Sequence, residues 1–337
     1  MNKKHIVGLT SSEISGLWSS YISNSIAVCL SKHFLKYIED KEAKPLVSEF
    51  FENTKDNLEK IKNIFIAENF PIPRGYSEEE EDLDLSAPAL FFDLFPLSYV
   101  YAQSRMDLVH YTSFIASSAR PDIRVLFSKL VTSSLNLFNK STDLMLSKGI
   151  YDRPAFIPYP DHIEFLKKKG TFLPKWFETN RTLSVLELSE MFFNIERNYY
   201  GLALLTAFAQ VVKDNKIKQY LLRGKKLANK QIQFYNETLI KDELLGTIMV
   251  NTEVTTSTIS PFSDRLILGV ISLSNSAAIS FTGSSLSSAT RIDLTTEYSK
   301  LLAEIMKYGK EGMDLLIERE WMEEPPHAPD RKKLVEV

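Results

Sequence analysis

Residues 9–40 read LTSSEISGLWSSYISNSIAVCLSKHFLKYIED, and residues 183–214 read LSVLELSEMFFNIERNYYGLALLTAFAQVVKD. At this offset of 174, Leu9, Glu13, Asn24, Leu30, Phe34 and Asp40 fall on Leu183, Glu187, Asn198, Leu204, Phe208 and Asp214. Apolar residues recur at helical spacing, and Thr10, Ser11 or Ser12 offers an N-cap with Glu13 in the first turn. An offset of 171 aligns the later parts. Phe92-Asp93 meets Ser263-Asp264, Arg120-Pro-Asp122 meets Arg291-Ile-Asp293, Ser128-Lys-Leu130 meets Ser299-Lys-Leu301, Asp143 meets Asp314, and Pro154 meets Pro325. Matches separated by a small drift in offset indicate one unit duplicated, with a change in loop length.

Working outward, a first helix is expected over Ser12 to about Glu39 and a second over Lys44 to Glu68, stopped by Pro71 and Pro73. An acidic stretch, Ser77 to Asp84, reads as a solvated loop. A third helix is expected from Ala87-Pro88 to about Ala119. A fourth starts at Pro121-Asp122 and ends near Lys148-Gly149, where glycine suits a C-terminal cap. Long loops, roughly 69–87 and 246–261, separate the second and third helices of each unit, the crossover found in ferritin-like bundles. The expected chain is all-α, two tandem ferritin-like four-helix bundles from an internal duplication. The first occupies 1–150, a linker 151–181, the second 182–325, and a tail 326–337.

The linker carries Pro154, Pro158, Pro160 and Pro174 with Phe156, Tyr159, Phe165, Phe172, Trp176 and Phe177. So many aromatics suit an ordered strap rather than a tether, with Phe172, Trp176 and Phe177 against a bundle. The seventh helix, Arg265 to Thr290, is rich in small residues, including Gly269, Ser274, Ala277, Ala278 and Gly283. They permit close backbone approach, or leave room for another chain or a ligand.

Composition narrows the function classes. The 337 residues are 44% hydrophobic and 25% charged, with a net charge of -3, which is no footprint of a nucleic-acid binder. A single cysteine, Cys29, excludes a disulfide within the chain and suits a reducing compartment. The apolar run Ile6 to Leu9 is too short for a signal peptide. The run Gly201 to Val212 falls short of the roughly 20 residues of a transmembrane segment. Synthesis in the cytoplasm is expected.

Leu9-Thr-Ser-Ser-Glu-Ile14, Gly149-Ile-Tyr-Asp-Arg-Pro154, Ile157-Pro-Tyr-Pro160, Ser260-Pro-Phe-Ser-Asp264 and Glu323-Glu-Pro-Pro326 are familiar together. They resemble the domain-of-unknown-function family 3231 of spore-forming bacteria, whose members are sometimes labelled spore coat proteins. The resemblance covers nearly the whole chain. It implies a pair of ferritin-like bundles and, by the label, incorporation into the spore, but no activity. Relatives tend to carry His-Ile-Glu on the second helix. The matching positions here are Asn57-Leu-Glu59 and Gln231-Ile-Gln233, so any metal set of the family is depleted.

The residues themselves offer little chemistry. A dinuclear carboxylate site needs Glu-x-x-His on two helices, and the chain contains none. Asp107-x-x-His110 has the right spacing once, but its repeat counterparts are Ala278 and Phe281, so it reads as a polar pair on a helix face. Cys29 and His33 could offer two zinc ligands, but Ala203 and Ala207 replace them in the second unit, and a buried thiol beside a boundary histidine is the plainer reading. Glu187, Glu190 and Glu196 share the fifth helix, where first-turn glutamates suit the helix dipole. No Gly-x-Ser-x-Gly elbow or phosphate loop occurs. Asn24 and Asn198 sit mid-helix among apolar residues and read as a structural polar core that fixes register.

No cofactor, catalytic residue or metal site is therefore expected. The leading expectation is a non-enzymatic structural or interaction protein with a protein partner or self-association. The rivals are a ferritin-like metal-dependent oxidase and a carrier of a small apolar ligand within a bundle.

Overall fold

The fold, a computed structural model, is described for residues 7–163, 181–247 and 254–331. Among these residues eight helices occur. The first unit holds α1 (Ser11–Tyr37), α2 (Ala43–Ala67), α3 (Leu94–Ser117) and α4 (Pro121–Ser147). The second holds α5 (Val185–Val211), α6 (Asn215–Lys241), α7 (Asp264–Ser288) and α8 (Ile292–Glu318). Described β structure is limited to two isolated bridges. The chain is all-α, two tandem four-helix units. α5 begins and ends 174 residues after α1, and α4 and α8 stand 171 apart.

Within each unit the first two and last two helices form hairpins, with long crossovers between them at 68–93 and 242–263. The first helices are started by a Thr10–Glu13 capping box and its counterpart Ser184–Glu187. The same glutamates also tie the fourth helices down. Glu13 Oε1 accepts the backbone amides of Ala119 (3.0 Å) and Arg120 (2.7 Å), and Glu187 Oε1 those of Thr290 (3.1 Å) and Arg291 (3.2 Å). Asp93 and Asp264 act similarly at the other end. Each takes amides from the α1–α2 or α5–α6 corner, Asp40 N at 2.8 Å and Asp214 N at 2.9 Å. Gly149, with φ of +68°, follows α4 in the left-handed conformation that glycine tolerates.

The third helix starts seven residues later than expected, at Leu94 rather than Ala87, because the intervening segment is engaged by the other unit. The two crossovers pair reciprocally. Leu83 bridges Phe262 while Phe91 bridges Val254, and these pairs exchange under the 171-residue offset. The flanking hydrogen bonds exchange too: Asp84 N donates to Pro261 O at 2.8 Å, and Thr255 N to Leu90 O at 3.0 Å. The units thus meet like the halves of a two-fold dimer.

The acidic stretch is correspondingly no free solvated loop. Asp82 is buried against Arg265, whose Nη2 also donates to Gly75 O at 2.7 Å and whose guanidinium lies over the Tyr76 ring at 4.3 Å. Gly269 of α7 leaves room for Tyr76, since a Cβ there would collide with the tyrosine hydroxyl. One continuous apolar core runs through both units, with Phe91, Phe95, Phe208 and Phe262 at the seam.

One described helix, α7, has a stretch long and apolar enough to span a bilayer, at mean hydropathy 1.5, but 56% of that stretch is buried in the fold. Among the described residues there is no clear transmembrane segment. In the linker, Tyr151 packs on Tyr101, whereas Phe156 and Tyr159 are 79% and 90% exposed. Phe165, Phe172, Pro174, Trp176 and Phe177 lie outside the described residues.

Candidate functional site

Where the units meet, their core helices do not close completely. A cavity of about 430 Å³ lies between α1 and α3 on one side and α5, α6 and α7 on the other. Small-molecule sites span roughly 300–1,000 Å³. Ile26, Leu30 and Tyr99 of the first unit and Leu204, Leu205 and Ile271 of the second supply much of its apolar wall. Small side chains create the space. Ala228, Ala277 and Ala278 line it, and at Gly201, in the middle of α5, nothing lies within 4 Å of where a Cβ would stand. Mid-helix glycine is about 1 kcal/mol less favourable than alanine, so this position lacks a packing reason for glycine.

A few polar groups interrupt the wall. Arg105 Nη1 of α3 is 2.7 Å from Glu196 Oε2 of α5, and the same guanidinium lies over the Phe193 ring at 3.9 Å. Burial raises the Glu196 carboxyl above its usual range, against the opposing pull of Arg105. The Asp107 carboxylate accepts from Gln103 Nε2 at 2.8 Å, and burial pushes its pKa up to about 7. His110, one turn on, is exposed, yet desolvation by the surrounding walls lowers its pKa. Arg197 contacts only amide oxygens, Asn194 Oδ1 at 3.1 Å and Gln231 Oε1 at 3.5 Å, and its Nε is buried with no partner.

Asn24 is buried and donates to Ser20 O (2.6 Å) and to the Tyr111 hydroxyl (3.1 Å), joining α1 to α3. Asn198 is buried and donates to Asn194 O (2.8 Å) and Gln231 Oε1 (3.2 Å), joining α5 to α6. The repeat has kept the asparagine and changed its partner.

Cys29 and His33 lie in the first unit's core, apart from Asp107 and His110. Burial pushes the Cys29 thiol up to about 12 and the His33 imidazole down to about 4, so both are neutral near pH 7. His33 Nε2 accepts the Leu90 amide at 3.4 Å, and its ring is 5.2 Å from Phe262 of the second unit. Among the described residues no three His, Cys, Asp or Glu side chains gather as a metal site. The residues also fit a ferritin-like dinuclear centre poorly, for the second unit's interior holds Arg197, Asn198 and Gln231 where such a centre needs carboxylates and histidines.

Neither motif nor spacing marks Arg197, Gly201 or the Arg105–Glu196 pair as a site in the sequence. Arg197 had a visible signal: its counterpart at the 174-residue offset is Ser23, so a small polar residue in one unit is a cation in the other. The cross-unit pair had none, because it depends on how the units dock.

Comparison with known families agrees with the duplication. The sequence profile of a family described as "Protein of unknown function (DUF3231)" matches twice, at residues 2–163 and 171–334. No curated protein matches the chain. A crystal structure of a protein from Bacillus halodurans, provisionally described as a spore coat protein, is 19% identical with a TM-score of 0.37, over 47% of this chain and 98% of that one.

Proposed function

The chain belongs to the DUF3231 family, twice over, and from that premise we propose that it is a non-enzymatic binding protein whose two units together enclose a small, largely apolar ligand. The observation that supports this most is the seam cavity of about 430 Å³, walled by both units and widened by Gly201 and Ala278. An apolar cavity with a few placed polar groups is the usual form of a ligand site. The test is direct: purified protein should bind an environment-sensitive apolar dye with saturation, and Ala278→Phe or Gly201→Leu should abolish binding while leaving helicity and cooperative unfolding in place. Undiminished dye binding by both filled variants would place the dye elsewhere and end the reading.

Protein association is a second reading, supported by the exposed Phe156, Tyr159 and Ile163 at 79%, 90% and 80%. Such clustered apolar exposure suits a partner or a second copy. The spore-coat label carried by some members of the family makes the spore the first compartment to examine, by fractionating sporulating cells and locating the protein. We also assign Asn24 and Asn198 a structural role, holding the register of α1 on α3 and α5 on α6.

A further inference from the structure

Apart from tyrosines and the exposed His110, four ionisable side chains reach the seam cavity: Arg105, Glu196, Asp107 and Arg197. Arg105 and Glu196 neutralise each other at 2.7 Å. Asp107, half-buried in the wall beside the Gln103 amide, is driven towards its neutral acid by desolvation. Arg197 remains. No carboxylate lies within ion-pair distance of it among the described residues, its nearest acceptors are the uncharged Asn194 and Gln231, and its Nε has no partner. Burial disfavours its charge, but a guanidinium does not shed its proton in proteins. Arg197 is only partly exposed, and a cation shielded from water without a counter-ion is costly. Next to it, one helical turn along the same face of α5, is the unfilled space at Gly201.

We propose that Arg197 is the anion-binding end of the cavity, and that the ligand is a single-chain apolar carboxylate whose head group pairs with this guanidinium while its chain lies along Leu204, Leu205, Ile26 and Leu30. The inference rests on the cavity reading above. A carboxylate matches the planar fork of arginine and carries one charge against one. A phosphate monoester would bring a charge of roughly −1.5 to −2 against the same single cation. The amide donors of Asn198 are already committed to Asn194 and Gln231, so the guanidinium is the charged donor at this end.

Calorimetric titration of the full chain at pH 6, below the Asp107 pKa of about 7, with decanoate, 1-decanol and decyltrimethylammonium, each below its micelle concentration, tests this. Decanoate should bind at least ten-fold more tightly than the alcohol or the cation. Arg197→Gln should lose at least ten-fold for decanoate and leave the alcohol unchanged, and Arg197→Lys should keep the preference for the anion. Equal affinity for decanoate and decanol in the unmodified protein overturns the anion site and leaves the cavity reading standing. Failure of all three to bind overturns both. The ligand series on the unmodified protein decides the matter even if Arg197→Gln does not fold.

Discussion

Asp82 in the first unit's crossover and Arg265 at the start of α7 form an ion pair across the seam, with side chains 1% and 8% exposed. Ser263 Oγ also donates to the same carboxylate, and Arg265 reaches Gly75 O, so the pair is held in a network rather than alone. Removing one member leaves the other charge buried. Asp82→Ala should therefore destabilise the chain by about 3–5 kcal/mol, read as a fall in the urea midpoint. If the units unfold independently, the second transition should move as well, since the lost contact belongs to both.

Glu187 links acid sensitivity to the capping box. Burial would raise its pKa, but Arg181 and the amides of Ser184 and Thr290 overcome this and lower it from 4.5 to about 2. A depressed carboxylate stabilises the fold above its unfolded pKa, and that stability is lost as pH falls from about 4.5 towards 2. Glu187→Gln should lower stability at pH 7 by about 1–3 kcal/mol and flatten the loss below pH 4.5. Urea unfolding across pH 2–7 measures both.

Asn24→Leu should cost about 1–3 kcal/mol, because it strands the buried Tyr111 hydroxyl. Asn24→Leu combined with Tyr111→Phe should recover most of it, since removing both polar partners is nearly neutral. A double-mutant cycle on thermal unfolding gives the coupling. Strictly additive losses would show that the two groups do not interact.

Gly201 and Gly269 should respond in opposite ways to alanine. A Cβ at Gly201 meets nothing, so Gly201→Ala should stabilise by about 0.5–1 kcal/mol. A Cβ at Gly269 meets the Tyr76 hydroxyl and the Ile26 side chain, so Gly269→Ala should lower the melting temperature. Adding Tyr76→Leu should relieve that loss.

Much of the architecture was legible because helices and repeats are local. Gly149 was read as a cap from its place after an apolar run, and α4 ends at Ser147 just before it. Asp40 and Asp214 are equivalents under the repeat; Asp214 caps α6, and Asp40 accepts the amides of Glu42 and Ala43 where α2 begins. The crossovers were harder. Ala87-Pro88 looks like a helix start, yet Leu90 and Phe91 take their backbone partners from residues more than 160 positions away. The acidic stretch misled for the same reason: composition suggests solvent, while Asp82 finds Arg265. In the site, Asp107 stands out by its spacing to His110 and Asn198 by repeat equivalence. Arg197, the neighbour of Asn198, could be weighed only once its lack of a carboxylate was visible.

The reciprocal bridges, Leu83 with Phe262 and Phe91 with Val254, carry a consequence for how this protein could diversify. Two separate copies docked about such an axis would have to present every residue twice, so a cation on one wall would face its own image. Joined in one chain, the halves are free to drift apart. Ser23 can stay neutral while its counterpart becomes Arg197, and Asp107 can face a chamber whose opposite wall offers Ala278. Fusion thereby turns a two-fold joint into a polarised one, with a head and a tail end for whatever lies inside.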